Sequence, residues 1–347
     1  MYSIDMNNIN ILTANINRFA RYSYIILKRM MTHRLNIYKI LSRYILHIII
    51  IITYKLYKHN CDFYMSPNVV IVIDNNDNVV YRISLNDCGL QSINNNYDFL
   101  LKYNQELEIP KPISITYKDK SNIVVSRETK ISYIELNTNT INTTLVNKVF
   151  RQLKQFYEKN IDISLSCIKS MINEYDYLYI HYHQNWVNKL LYFKKIIQKK
   201  LIILADKREI KPVLTIIHGD LTYRNILKSN NIAFIDFDRS DLNYPEYDYF
   251  LFNIDLYTYK QFHKPTYSQF FDNLLMFTLN DNFMSREIED FYQLNNKFLD
   301  NKKILHIIKY LFLYRTLAFT LLNFKFNDSE PVNLLDKCLK GIQCYEN

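Results

Sequence analysis

The spacing of apolar positions changes along this chain, and each change predicts a different kind of element. "NVVIVID" (68–74) and "NVVYRISL" (78–85) are dense in β-branched residues and are separated by "NND", which predicts two strands joined as a hairpin. "YDFLLKYNQEL" (97–107) predicts a short helix closed by "IPKP" (109–112), and "SNIVVSRE" (121–128) a further strand. Beyond about residue 140 the apolar residues return every three or four positions, in 144–160, 185–204 and 303–324, as helices require. Lys309 and Arg315 interrupt the last of these, which makes it a core helix and not a membrane span. Within this helical region "VLTII" (213–217), "NIL" (225–227) and "IAFID" (232–236) read as short strands, with "KSNN" as a turn. The pattern therefore predicts a small sheet domain followed by a larger helical one, without internal repeats.

The stretch before the sheet differs in kind. In "RYILHIIIIITYKLYK" (43–58) eleven residues separate Arg43 from Lys55. As a helix they reach about 16 Å, short of the roughly 30 Å of a bilayer core. Residues 1–60 also hold nine Lys and Arg against one acid, Asp5, and so carry nearly all of the chain's net charge of +9. Two readings fit this basic N-terminal helical extension. Residues 1–60 lie on an anionic membrane surface as a peripheral contact, or they form a helix packed on the body of the protein with its charges solvated. Nothing else in the sequence supports nucleic acid as the partner of this patch.

With 347 residues, 48% of them apolar and 22% charged, the chain is long enough for one large or two ordinary globular domains. Glycine changes the picture most, because only Gly89, Gly219 and Gly341 occur. Those positions exclude both the G-x-G-x-x-G dinucleotide fingerprint and the G-x-x-x-x-G-K-[ST] phosphate loop. The five cysteines contain no C-x-x-C pair, and the start lacks the pattern of a secretory signal, so a reducing, cytoplasmic setting is the expectation.

The chemistry is concentrated in "IIHGDLTYRNILKSNNIAFIDFD" (216–238). A loop after Ile217 would present Asp220, and a hairpin would bring Asn225 and Asp236 to the same end beside it. Two oxygen ligands suited to Mg²⁺, next to a separate carboxylate, are what phosphoryl transfer requires. The metal neutralises phosphate charge while the carboxylate orients the acceptor hydroxyl and takes its proton. His181 and His183 suggest a metal site at first sight, but no further ligand lies nearby, and with Trp186 they read as core or surface residues.

"HGDLTYRN" followed by "IDFD" resembles the catalytic segment of the aminoglycoside phosphotransferase and choline kinase group, relatives of protein kinases. The resemblance rests mainly on residues 214–250. It implies an α+β, two-lobed protein-kinase-like fold: the basic extension 1–60, a small β-rich N-lobe over 61–131 and a larger, mainly helical C-lobe over 132–347. It implies Asp220 as the catalytic base, Asn225 and Asp236 as magnesium ligands, and His218 as a residue shaping the loop. "YPEYDYF" resembles the group's Pro-x-x-Asp element and makes Asp248 the anchor of that loop. ATP and Mg²⁺ are the implied cofactors, with ATP's adenine near 126–130, and the implied partner is a small-molecule hydroxyl acceptor.

One departure from the group stands out. Its third strand carries a lysine that contacts phosphates and pairs with an acid on the following helix, and here "VVYRISL" offers Arg82 instead. The helix offers Asp98, with Asn96 in the other available slot, so Arg82 and Asp98 are expected to clamp the nucleotide. Arginine is not a neutral replacement at a tight phosphate site, which keeps open a second reading, a catalytically inactive kinase-like binding protein. The first reading is an ATP- and Mg²⁺-dependent phosphotransferase acting on a sugar or other polyhydroxylated metabolite, with a place in surface-glycan metabolism by analogy.

Overall fold

The computed structural model describes residues 61–118, 123–136, 141–162, 214–228 and 231–279, single positions apart, together with short helical stretches within 188–199, 308–317 and 333–340. The extension 1–60 and the residues His181, His183 and Trp186 lie outside the described residues. The chain divides into two units, Met1–Tyr133 with Ala233–Asp238, and Ile134–Ile232 with Arg239–Asn347.

The first unit is built on a five-stranded antiparallel sheet in the order β1-β2-β3-β5-β4. Its strands are β1 (Cys61–Met65), β2 (Val69–Asp74), β3 (Val79–Ser84), β4 (Pro112–Lys118) and β5 (Ile123–Thr129). Side chains alternate across a strand, and the run of apolar residues in β2 buries both faces. Val70 and Val72 join Cys61, Tyr81, Ile83 and Val125 on one side. Val69 packs with Ile93 and Val124 on the other. Ile93 comes from helix α1 (Asp87–Tyr103), so the helix covers the second face. Full burial of each such side chain contributes about 1.5–3 kcal/mol.

Three elements differ from the sequence expectation. Helix α1 begins ten residues before the predicted start, because Asn86 caps it by accepting the backbone N–H of Gly89 at 2.9 Å. Its buried positions, Gly89, Ile93, Asn96, Phe99, Leu100 and Tyr103, recur at helical spacing through a polar sequence. Strands β1 and β4 were not predicted: "CDFYM" is short, and "PISITYK" opens on a proline that suits the edge position the strand takes.

The second unit holds strands β6 (Ile134–Glu135), β7 (Ile161–Asp162), β8 (Leu214–Ile217), β9 (Ile226–Lys228) and β11 (Asp241–Asn243), with helices α2 (Thr143–Lys159), α3 (Glu246–Phe262) and α4 (Tyr267–Leu279). Strand β8 lies between β7 and β11, antiparallel to both. Strand β9 lies between β6 and β10 (Ile232–Phe234), within which the chain passes into the first unit. Helix α3 is buried on every side from Glu246 to Leu256, its acids included. Phe250 packs on Phe277 and Phe312, and Phe252 on Phe150, with ring centroids 4.8–5.6 Å apart. The site is built on this rigid axis. Among the described residues no helix is long and apolar enough to cross a membrane.

Candidate active site

Of the residues singled out by sequence, Arg82, Asp98 and Asp236 fall in the first unit, and His218, Asp220, Asn225 and Asp248 in the second.

In the first unit Arg82 lies opposite Ser126 on β5, and Glu128, two residues further on, shares its face. Arg82 Nε donates to Glu128 Oε1 at 3.1 Å and Nη1 to Asp236 Oδ1 at 2.7 Å. Asn96 Nδ2 donates to the second oxygen of Glu128 at 3.0 Å, while Asn96 Oδ1 accepts the backbone N–H of Phe237 at 3.0 Å. The Phe237 ring stacks on Phe99 of α1 at 4.0 Å. Ser92 Oγ donates to Asp238 Oδ2 at 3.0 Å, and Asn95 Nδ2 to the Asp238 carbonyl at 3.3 Å. The segment 236–238 is thus seated on α1 and strand β3.

Burial works against the Arg82 charge, but the carboxylates of Glu128 and Asp236 outweigh it and hold the guanidinium ionised. Asp236 itself takes φ +70°, a left-handed conformation that costs a non-glycine residue energy and is common at functional positions. Its carboxylate and that of Asp238 offer oxygens within 4.8 Å of each other. Carboxylate oxygens this close suit a hard divalent cation.

The expected pairing of Arg82 with Asp98 is corrected by these contacts. Asp98 is exposed, whereas Arg82 is buried and bonded to Glu128 and Asp236. Two residues along a helix turn the side chain by about 200°, so with Asn96 facing the sheet Asp98 faces water. The counter-charge comes from β5 and not from the helix.

In the second unit β8 ends at Ile217 and the chain enters a tight loop. Gly219 has φ +78°, and a Cβ there would meet the Arg239 carbonyl oxygen at 2.0 Å, so no other residue fits. Asp248, fully buried on α3, accepts the backbone N–H groups of His218 at 2.6 Å and Gly219 at 2.8 Å, and the Tyr157 hydroxyl at 2.7 Å. The buried His218 accepts the Asp220 N–H through Nδ1 at 3.3 Å. Asp220 Oδ1 then faces Arg239 Nη1 at 3.0 Å. Asn225 closes the loop by donating Nδ2 to the Asp220 carbonyl at 2.8 Å, and its Oδ1 is an oxygen that can accept or ligate.

A second acid of α3 reaches the same segment. Asp255 lies seven residues after Asp248, two turns along the same face. It accepts the Tyr223 N–H at 3.4 Å and pairs with Arg224 at 3.7 Å. Burial pushes Asp248 up to about 6 against its hydrogen bonds from Tyr157, His218 and Gly219. Burial likewise raises Asp255 to about 6, opposed by Arg224. Glu128, Tyr157, Arg239 and Asp255 were not singled out by sequence. Only Glu128 carried a signal, as a charged residue on the inward face of an apolar strand.

No family model matches the sequence, and no curated protein matches it. Solved structures do. An aminoglycoside phosphotransferase, APH(4)-Ia, superposes with a TM-score of 0.55 at 11% identity, covering 84% of this chain and 97% of its own. The GDP and kanamycin complex of APH(2")-IIia gives 0.51 at 13% identity, covering 82% and 91%. Amicoumacin kinase hAmiN, in complex with AMP-PNP, Ca²⁺ and Ami, gives 0.50 at 12% identity, covering 82% and 87%. The chain therefore has the aminoglycoside-phosphotransferase type of protein-kinase-like fold, with an antiparallel-sheet N-lobe and a helical C-lobe.

Proposed function

We propose that this protein is a phosphotransferase that uses ATP and Mg²⁺ to phosphorylate a hydroxyl of a small molecule. The observation that carries the reading is the loop at 218–220, fixed to a buried helix by Asp248 through two consecutive N–H groups. A loop held this way presents the partly exposed Asp220 at a defined position. The neighbouring folds support it: one is an aminoglycoside phosphotransferase, and another a kinase solved with AMP-PNP and Ca²⁺.

Asn225 and Asp236 are assigned as oxygen ligands of the cation, and Asp220 as the base. Bound, ATP and its cation supply an electrophilic phosphorus and neutralise the charge of the phosphates. Asp220 orients the acceptor hydroxyl and accepts its proton as the new O–P bond forms and the bond to ADP breaks. Arg239 holds the Asp220 carboxylate through Oδ1, which helps fix the orientation of the base. We take the acceptor to be a sugar or another polyhydroxylated metabolite, with a role in surface-glycan metabolism.

Asp220→Asn tests the mechanism. It keeps the size of the side chain and removes the base, so phosphate transfer falls by about 10²–10⁴ while nucleotide binding persists. Full activity in that variant contradicts the assignment. A second reading, a kinase-like protein that binds nucleotide without turnover, is favoured by the commitment of Arg82 to two carboxylates. It predicts that the unsubstituted protein binds ATP but hydrolyses or transfers no phosphate with any acceptor.

A further inference from the structure

We propose that Arg82 couples the cation to the nucleotide: it competes with a divalent cation for Asp236, and when the cation takes that oxygen the guanidinium turns to the nucleotide's phosphates. The proposal rests on the phosphotransferase reading above and adds an ordering of its two ligands.

The geometry separates a fixed half of Arg82 from an exchangeable half. Nε is held by Glu128, and Glu128 is itself held by Asn96, so this end of the guanidinium is framed by β5 and α1. Nη1 reaches Asp236 Oδ1 at 2.7 Å, the carboxylate assigned to the metal. A guanidinium has five N–H donors in a planar fork, so it can keep the Nε bond while its terminal nitrogens change partner. Lysine presents its three donors from a single point, whereas the fork spaces its fixed and exchangeable partners apart. Asn96 also binds the backbone of Phe237, which ties the frame to the residue next to Asp236. Asp238, fixed by Ser92 and Asn95, supplies a second oxygen within 4.8 Å of Asp236.

Two cations at one carboxylate repel each other in a partly buried setting. Arg82 therefore weakens binding of a cation alone. A nucleotide that draws the guanidinium onto its phosphates removes the competitor, and each ligand then strengthens the other by the same factor. Glu128 and Asn96 are positioning residues in this scheme, acting through Arg82.

Mn²⁺ binding to the full chain, followed by electron paramagnetic resonance with and without a non-hydrolysable ATP analogue, tests this. Wild type is compared with Arg82→Gln and with the double variant Arg82→Gln/Glu128→Gln, which removes the buried pair together and leaves only the partly exposed Asp236 carboxylate without its guanidinium. The expected result is that both variants bind Mn²⁺ alone about tenfold tighter than wild type, while the analogue's roughly tenfold enhancement in wild type disappears. A folded double variant that binds Mn²⁺ alone no tighter than wild type overturns the proposal. So does Mn²⁺ binding to none of the three. If wild type binds Mn²⁺ but not the analogue, the phosphotransferase reading fails instead, and the nucleotide-free comparison still decides whether Arg82 competes.

Discussion

Asp248 Oδ1 accepts the backbone N–H of Gly219 at 2.8 Å, so a buried helix carboxylate holds the one residue of the loop that only glycine can be. Its other oxygen takes the His218 N–H and the Tyr157 hydroxyl. The position of Asp220, the proposed base, thus depends on a residue 28 positions later in the chain.

Tyr157→Phe removes one of the three donors and leaves a buried carboxylate short of a partner. Loss of a hydrogen bond to a charged group costs about 1.5–3 kcal/mol. The expected outcome is a fall of about 2 kcal/mol in urea unfolding, with transfer activity reduced through the displaced loop. Unchanged stability would remove Tyr157 from the account of how the loop is held.

The acids Asp98 and Glu128 separate cleanly. Asp98 is exposed on α1, so Asp98→Asn should stay within about 0.5 kcal/mol of wild type and leave nucleotide affinity unchanged. Glu128→Gln leaves Arg82 half paired in a buried site, at a cost of about 3–5 kcal/mol, and weakens nucleotide binding. Calorimetry of both variants checks this, and the reverse ranking would restore Asp98 as the partner.

Three carboxyls of α3 give the protein a pH dependence of definite sign. Burial raises Glu246 to about 7, and Asp248 and Asp255 to about 6. In the unfolded chain such groups titrate near 4. Because the folded values are higher, their contribution to stability is complete below about pH 4 and is lost as pH rises through 6 to 7. Glu246→Gln abolishes one of these titrations. At pH 8 the variant should be more stable than wild type by about 2 kcal/mol, and the gap should close by pH 4. Urea midpoints at the two pH values decide it, and a gap independent of pH contradicts the assignment.

How much of this was legible in the sequence depends on distance along the chain. Asp220, Asn225 and Asp236 lie within one short stretch, and Asp248 follows soon after in "YPEYDYF", so motif spacing could point to them. The β-branched runs of β2, β3 and β5 were legible for the same local reason. Glu128 stands 46 residues from Arg82, and only the strand register places them on one face. The choice between Asn96 and Asp98 needed the phase of α1, which depends on the Asn86 cap inside a polar run without an apolar period. Arg239 and Asp255 carried no local signal at all, because their roles come from the turn that aims one and the helix face that carries the other.

Nucleotide is proposed to bind through a divalent cation held by Asp236. Isothermal calorimetry with ATP and with GTP, with and without Mg²⁺, tests it most directly when wild type is set beside Asp236→Ala. The expected result is Mg²⁺-dependent binding in wild type that Asp236→Ala abolishes. Binding of neither nucleotide under either condition would contradict it, as would binding that Asp236→Ala leaves intact.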